Sequence, residues 1–211
     1  QWLEGIYTTN ASSNTNSARE ISVADSRIHS GGLITQNISL TNSTLQINQP
    51  SVQNDGYVGR MDLNGNFNFL QRVVNTNATS GSSYTFSDIE AENDSTFYLS
   101  GSLRGNYFFG SNNTSFNSTG SSTFVSRFVN STCSWLTNTT STVGFSISGP
   151  QIALKNNMIY LGGTFSGSLT IQGLTINAPS GGSPFTNYWF ASTLNTSGIV
   201  QDLVNLNISN F

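Results

Sequence analysis

Apolar and polar residues alternate along most of this chain, in runs bounded by Gly, Asn and Ser. That two-residue period puts successive side chains on opposite faces of an extended strand, whereas helical spacing is scarce. The pattern predicts an all-β fold, with antiparallel strands forming a sandwich-like or barrel-like head.

The alternating runs recur. ISVADSRIHSGGLITQNISL (21–40), FSDIEAENDSTFYLSGSLRGNYFF (86–109) and FSISGPQIALKNNMIYLGGTFSGSLTI (145–171) each run from a strand through a polar turn into an aliphatic-aromatic strand. A second signature follows each: GYVGRMDLNGNFNFLQRV (56–73), TFVSRFVNSTCSWLTN (123–138) and YWFASTLNTSGIVQDLVNL (188–206). Tyr57, Phe124 and Trp189 align, which sets three diverged repeats at about 19–80, 81–142 and 143–211. Asn64-Gly65 and Ser197-Gly198 read as tight hairpin turns, with Thr132-Cys133 as the poorer counterpart.

This unit resembles the four-stranded repeat of certain secreted β-propeller proteins, so a propeller-like arrangement is the alternative architecture. Propellers close with about 4–8 blades, and three units leave a sandwich or barrel with a gap at an edge as the first expectation.

Charge alters the picture more than hydrophobicity does. Charged residues make up 8% of the chain, far below the ~25% of an ordinary soluble protein. Asn, Ser and Thr take their place with 27, 34 and 24 residues. Few groups can therefore link protonation to folding, and stability is expected to vary little with pH. The net charge of −3 and six scattered Arg provide no basic patch, which argues against nucleic-acid binding. No apolar run approaches the ~18 residues of a membrane span. The single Cys133 cannot form an internal disulfide and reads as a small residue tucked near a turn.

Asn-x-Ser/Thr occurs twelve times, at Asn10, Asn37, Asn42, Asn77, Asn93, Asn112, Asn113, Asn117, Asn130, Asn138, Asn195 and Asn207. Composition alone would give roughly seven. Several sit in turn-like polar breaks where a transferase can reach them, so covalent N-glycans on an extracellular protein are expected. Gln1 in place of Met is read in the same sense, as the mark of a cleaved leader.

Candidate chemistry is thin. Asp88, Glu90, Glu92 and Asp94 alternate along one run and would share a strand face, as a hard cation such as Ca²⁺ requires. The competing reading is a charged strand edge that discourages edge-to-edge pairing, and it is preferred. Asp62, Asn64 and Asn66 hint at a calcium loop, but Phe67 and Val73 stand where an EF-hand needs Gly and Glu, leaving a hairpin turn. His29 is the only His, and no nucleophile motif accompanies it. Trp135, Tyr188 and Trp189 could line a sugar-binding face, although repeat positions favour the core. No catalytic, cofactor or resident-metal site is expected, and the chain reads as a non-enzyme.

The N-terminus supplies the functional expectation. Trp2, Leu3, Ile6 and Tyr7 form a short apolar strand on the polar tether 8–18, outside the repeats that make up the head (19–211). A sticky strand on a tether is what donor-strand exchange needs: one copy's tail completes a neighbour's sheet, and head-to-tail contact propagates. In its overall layout the chain resembles subunits of archaeal thread-type pili, which implies a glycosylated surface filament of identical subunits serving adhesion and biofilm formation. The alternative is a monomeric propeller-like or lectin-like binding module on a cell or virion surface, with surface glycans as a candidate partner and the N-terminal strand paired in its own domain.

Overall fold

The computed structural model of the protein describes residues 6–8, 17–34, 38–40, 45–47, 55–75, 83–109, 114–141, 148–179 and 186–209. They are all-β and antiparallel, with no helix among the described residues. Three short strands, β1 (Ile6–Thr8), β4 (Ile38–Leu40) and β5 (Gln46–Ile47), form a small sheet in the order β1-β4-β5.

The other strands build three four-stranded meanders. The first comprises β2 (Ser17–Ala24), β3 (Arg27–Ile34), β6 (Asp55–Asp62) and β7 (Phe67–Asn75). The second comprises β8 (Ser83–Asn93), β9 (Thr96–Phe109), β10 (Thr114–Val129) and β11 (Thr132–Ser141). The third comprises β12 (Ser148–Lys155), β13 (Met158–Phe165), β16 (Tyr188–Asn195) and β17 (Val200–Ser209). Between its inner strands lies the hairpin β14 (Ser168–Ile171) and β15 (Leu174–Asn177), which pairs with β11. β7 also pairs with the far end of β9, so the first two meanders are one continuous sheet.

Two-residue turns at Asp25-Ser26, Asp94-Ser95 and Asn156-Asn157 close the first hairpin of each meander. Asp25, Asn156 and Asn157 adopt positive φ, which Asn and Asp tolerate better than most residues. The second hairpins turn at residues 63–66, 130–131 and 196–199. The middle one therefore lies at Asn130-Ser131, two residues before the expected Thr132-Cys133. Positive φ at both residues (47° and 74°) gives the twist a two-residue hairpin needs.

Counting from these turns fixes equivalent positions. Gly32, Gly101 and Gly163 each lie five residues beyond the residue that opens the strand after the first turn (Arg27, Thr96 and Met158), and their cross-strand partners are Tyr57, Phe124 and Phe190. The expected correspondence of Trp189 is therefore off by one residue. Phe190 is buried and Trp189 is 40% exposed, since a one-residue slip on a strand reverses the face.

We call the face bearing Tyr57, Phe124 and Phe190 the front of each meander. The small sheet covers part of the first front, where Ile34, Tyr57 and Ile47 of β5 form a cluster. The first back, with Val58, Phe69 and Val73, meets the second front, with Phe97, Leu99, Phe124 and Phe128. The second back, with Tyr98 and Val125, meets the third front, with Ile159, Leu161, Phe165 and Phe190. The sheets thus stack front to back, and β9 and β10 feed alternate residues into two different cores.

Candidate functional site

Among the described residues, no element covers the apolar back of the third meander. Tyr160, Trp189, Val204 and Leu206 are exposed there, around a shallow groove of about 320 Å³ floored by Gly162 and Ala191. Its counterparts in the other meanders are covered. Tyr160 is 43% exposed, whereas His29 and Tyr98, which hold the same position on the first and second backs, are fully buried. Gly31, Ser100 and Gly162 are likewise equivalent. Gly31 admits the Phe86 ring of the following sheet, and the Ser100 hydroxyl donates to the Pro150 carbonyl of the sheet after it (2.7 Å). At Gly162 the nearest atom to an added Cβ would be the Phe190 carbonyl oxygen of its own sheet, 3.8 Å away.

In both seams the first strand of one meander lies against the first two strands of its predecessor: β8 against β2 and β3, β12 against β8 and β9. The leading strand also donates a backbone N–H to a side chain on its predecessor. Ala91 donates to Ser22 Oγ (3.0 Å), and Ile152 donates to Asp88 Oδ2 (2.8 Å). Three isoleucines mark one equivalent front position on the leading strands, since Ile21, Ile89 and Ile152 pair with Ser30, Leu99 and Leu161. Ile89 and Ile152 are buried to 2% and 5% exposure, but Ile21 is 65% exposed. Among the described residues no meander precedes the first, and none of them covers its Ile21 and Val23.

Three of the four candidate calcium carboxylates, Asp88, Glu92 and Asp94, hold hydrogen-bond partners within the protein. Asp88 accepts from the backbone of Ile152 and Ile89 (2.8 and 2.9 Å). Burial nevertheless raises its pKa, and burial followed by the Asp88 charge raises that of Glu90. A register shift between Ala91 and Asn93 breaks the alternation. Beyond it Glu92 accepts from the Tyr98 hydroxyl (2.9 Å) and lies 3.7 Å from Arg127. Asp94 accepts from the Ser26 amide and hydroxyl (2.8 and 2.6 Å), which hold its carboxyl below the usual range. No group of three His, Cys, Asp or Glu side chains suited to a metal occurs among the described residues.

The Asp62 carboxylate accepts from the amides of Asn64 and Asn66 (both 2.9 Å), so DLNGNFN is a self-bonded hairpin turn. His29 lies 4.8 Å from the Phe97 ring in the first core. Burial, then the charge of Arg60, lowers its pKa to about 4, partly opposed by the Asn93 backbone and Asp94. Cys133 is buried in that core outside any disulfide, its Sγ donating to the Trp135 carbonyl (3.4 Å). Trp135 packs beside Tyr98 and donates to the Thr196 carbonyl (3.0 Å), while Tyr188 lies in the second core. Among the described residues no helix is long and apolar enough to cross a membrane.

Of the N-terminal segment, Trp2 and Leu3 lie outside the described residues. Ile6 and Tyr7 lie in β1, paired with Leu40 and Ser39 of the same chain. Asn10, Asn37, Asn42, Asn77, Asn112 and Asn113 also lie outside the described residues. Asn117 and Asn207 fall in strands, and Asn138 is half-buried in β11. Asn93, Asn130 and Asn195 sit at hairpin ends. Asn93 Oδ1 accepts from Ser95 and Thr96, and Asn195 Oδ1 accepts from Ser197 and Ile199. No protein-family model matches the chain, and no curated protein matches it.

Proposed function

We propose that this chain is a structural subunit of an extracellular, N-glycosylated filament, built by head-to-tail association of identical copies and serving adhesion and biofilm formation. One observation carries the reading. The stack has two unlike ends, one with an exposed leading strand and the other with an exposed apolar back face. A contact between unlike ends is heterologous, and it propagates unless rotation closes it into a ring. Each end also gathers exposed large apolar side chains, Ile21 and Val23 at one and Tyr160, Trp189, Val204 and Leu206 at the other.

Donor-strand exchange fits the N-terminal pairing. The hydrogen bonds of Ile6–Thr8 to Ile38–Leu40 would be the same if a neighbour supplied the strand, because the pairing partners are backbone groups. The tether from Thr8 to Ala18 could span at most ~36–40 Å, enough for its own head or for a neighbour. Sequons at the hairpin ends would place glycans beside the seams rather than within them.

The pairing of β1 within its own chain is also the observation that favours the second reading, a monomeric surface module that binds glycans. Both are tested by deleting residues 1–7 and following assembly by electron microscopy and native mass measurement. The filament reading expects a full chain that polymerises and a truncated head that folds without polymerising. A full chain that stays monomeric at high concentration overturns it and favours the module.

A further inference from the structure

We infer that copies of this chain stack through their sheet faces, with β2 of one copy seated on the uncovered back of β12 and β13 in the next. This rests on the filament reading and specifies a contact distinct from the N-terminal strand. It would repeat, between molecules, the seam that the chain already makes twice within itself.

The occupant follows from equivalence. Each covered back face receives the leading strand of the next meander, front side down, with an isoleucine at one fixed position. Ile89 occupies it in the first seam and Ile152 in the second. The leading strand left over is β2, whose Ile21 and Val23 are exposed at the matching positions. The face left over is that of Tyr160 and Gly162, so one unfilled donor and one unfilled acceptor of the same seam lie at opposite ends of the stack.

The first seam also predicts which residues meet. There the Ala91 amide bonds to Ser22 Oγ. By register Val23 is the counterpart of Ala91, and Ala153 is the counterpart of Ser22. In a stacked pair of copies Val23 of one therefore lies next to Ala153 of the other.

The test uses full-length protein in a Cys133→Ala background, under conditions where the wild type assembles. Two single variants, Val23→Cys and Ala153→Cys, are mixed and oxidised. Disulfide-linked dimers are expected in the mixture and not in either variant alone. Gly162→Leu is the second arm. Its side chain has open space in the single chain, so the fold is expected to persist while the groove is filled. The concentration needed for assembly should rise about tenfold or more, the effect of losing one well-buried aliphatic contact.

If wild-type chains assemble but the mixture does not cross-link and Gly162→Leu assembles normally, stacking is overturned and the filament reading stands. Cross-linking of Ala153→Cys to a cysteine placed at Trp2 instead would assign the face to the N-terminal tail and also overturn stacking. A wild type that remains monomeric overturns both readings. If Gly162→Leu fails to fold, the cross-linking arm decides alone.

Discussion

Phe86 of β8 occupies the space that a side chain on Gly31 of β3 would need. A Cβ there would overlap the Phe86 ring, and Gly56 stands in the same relation to Tyr84. These close approaches let the second meander lie flat on the first.

Gly31→Ala should therefore destabilise the protein by about 1–3 kcal/mol, the usual cost of overpacking a dense core. Gly162→Ala, at the equivalent but uncovered position, should change the stability of the single chain little. Denaturant midpoints of the two variants check the contrast. Equal effects would mean that the seam relaxes around Gly31.

His29 reverses the expectation of a flat pH response. Its folded pKa of about 4 lies below its ordinary 6.5, so the unfolded chain binds the proton first. Its contribution is intact above pH 6.5, falls as pH drops, and levels off near pH 4. Asp88 and Glu90 act oppositely, because acids with raised pKa values bind protons more readily when folded and add stability as pH falls through their range. Unfolding midpoints measured from pH 7 to pH 4 should decline in the wild type, and His29→Phe should largely abolish the decline. A His29→Phe curve that runs parallel to the wild type over that interval would show that His29 is not buried as described.

Asp88 is expected to matter for a seam rather than for a cation. Asp88→Ala leaves the Ile152 amide without its acceptor and should cost about 1–3 kcal/mol. Asp88→Asn, which keeps an acceptor oxygen, should cost less. Calcium or a chelator should leave the melting temperature unchanged. A chelator-sensitive transition abolished by Asp88→Asn with Glu90→Gln would reinstate the metal site.

At the sequons, sugar and turn can be separated. The intact mass should exceed 22.7 kDa by several glycans. Asn130 is exposed at a hairpin tip, so Asn130→Gln should remove one glycan's mass with little effect on stability beyond the strain at its positive φ. Asn195→Gln should also cost about 0.5–1.5 kcal/mol through its two lost turn hydrogen bonds. A native mass equal to that of the bare chain would end the glycoprotein reading.

The all-β class was legible because alternation in runs such as TFYLSGSLRGNYFF reports directly on strand faces. The face assignments were less so. Trp189 and Phe190 are adjacent aromatics, and only the pairing of Gly163 with Phe190 decides which one points inward. The acidic run also looked continuous, but a bulge near Glu92 redirects its end, and bulges leave little trace in residue type. Least visible was the uncovered end. Ile21, Ile89 and Ile152 are the same residue in similar contexts, and their different exposure depends only on whether a sheet precedes them.

The front-to-back order has an energetic consequence. Among the described residues the two seams join the second meander to the first and to the third, so stability divides into contributions from each sheet and from the two seams, as in repeat proteins. Opening either terminal sheet breaks one seam, whereas opening β8–β11 breaks both, and that central sheet also shares backbone pairing with β7 and β14. Its amides are protected by the whole molecule and would be the last to exchange with solvent, while the two ends fray independently of each other. In a continuous stack every sheet would become central, and the ends would lose that freedom.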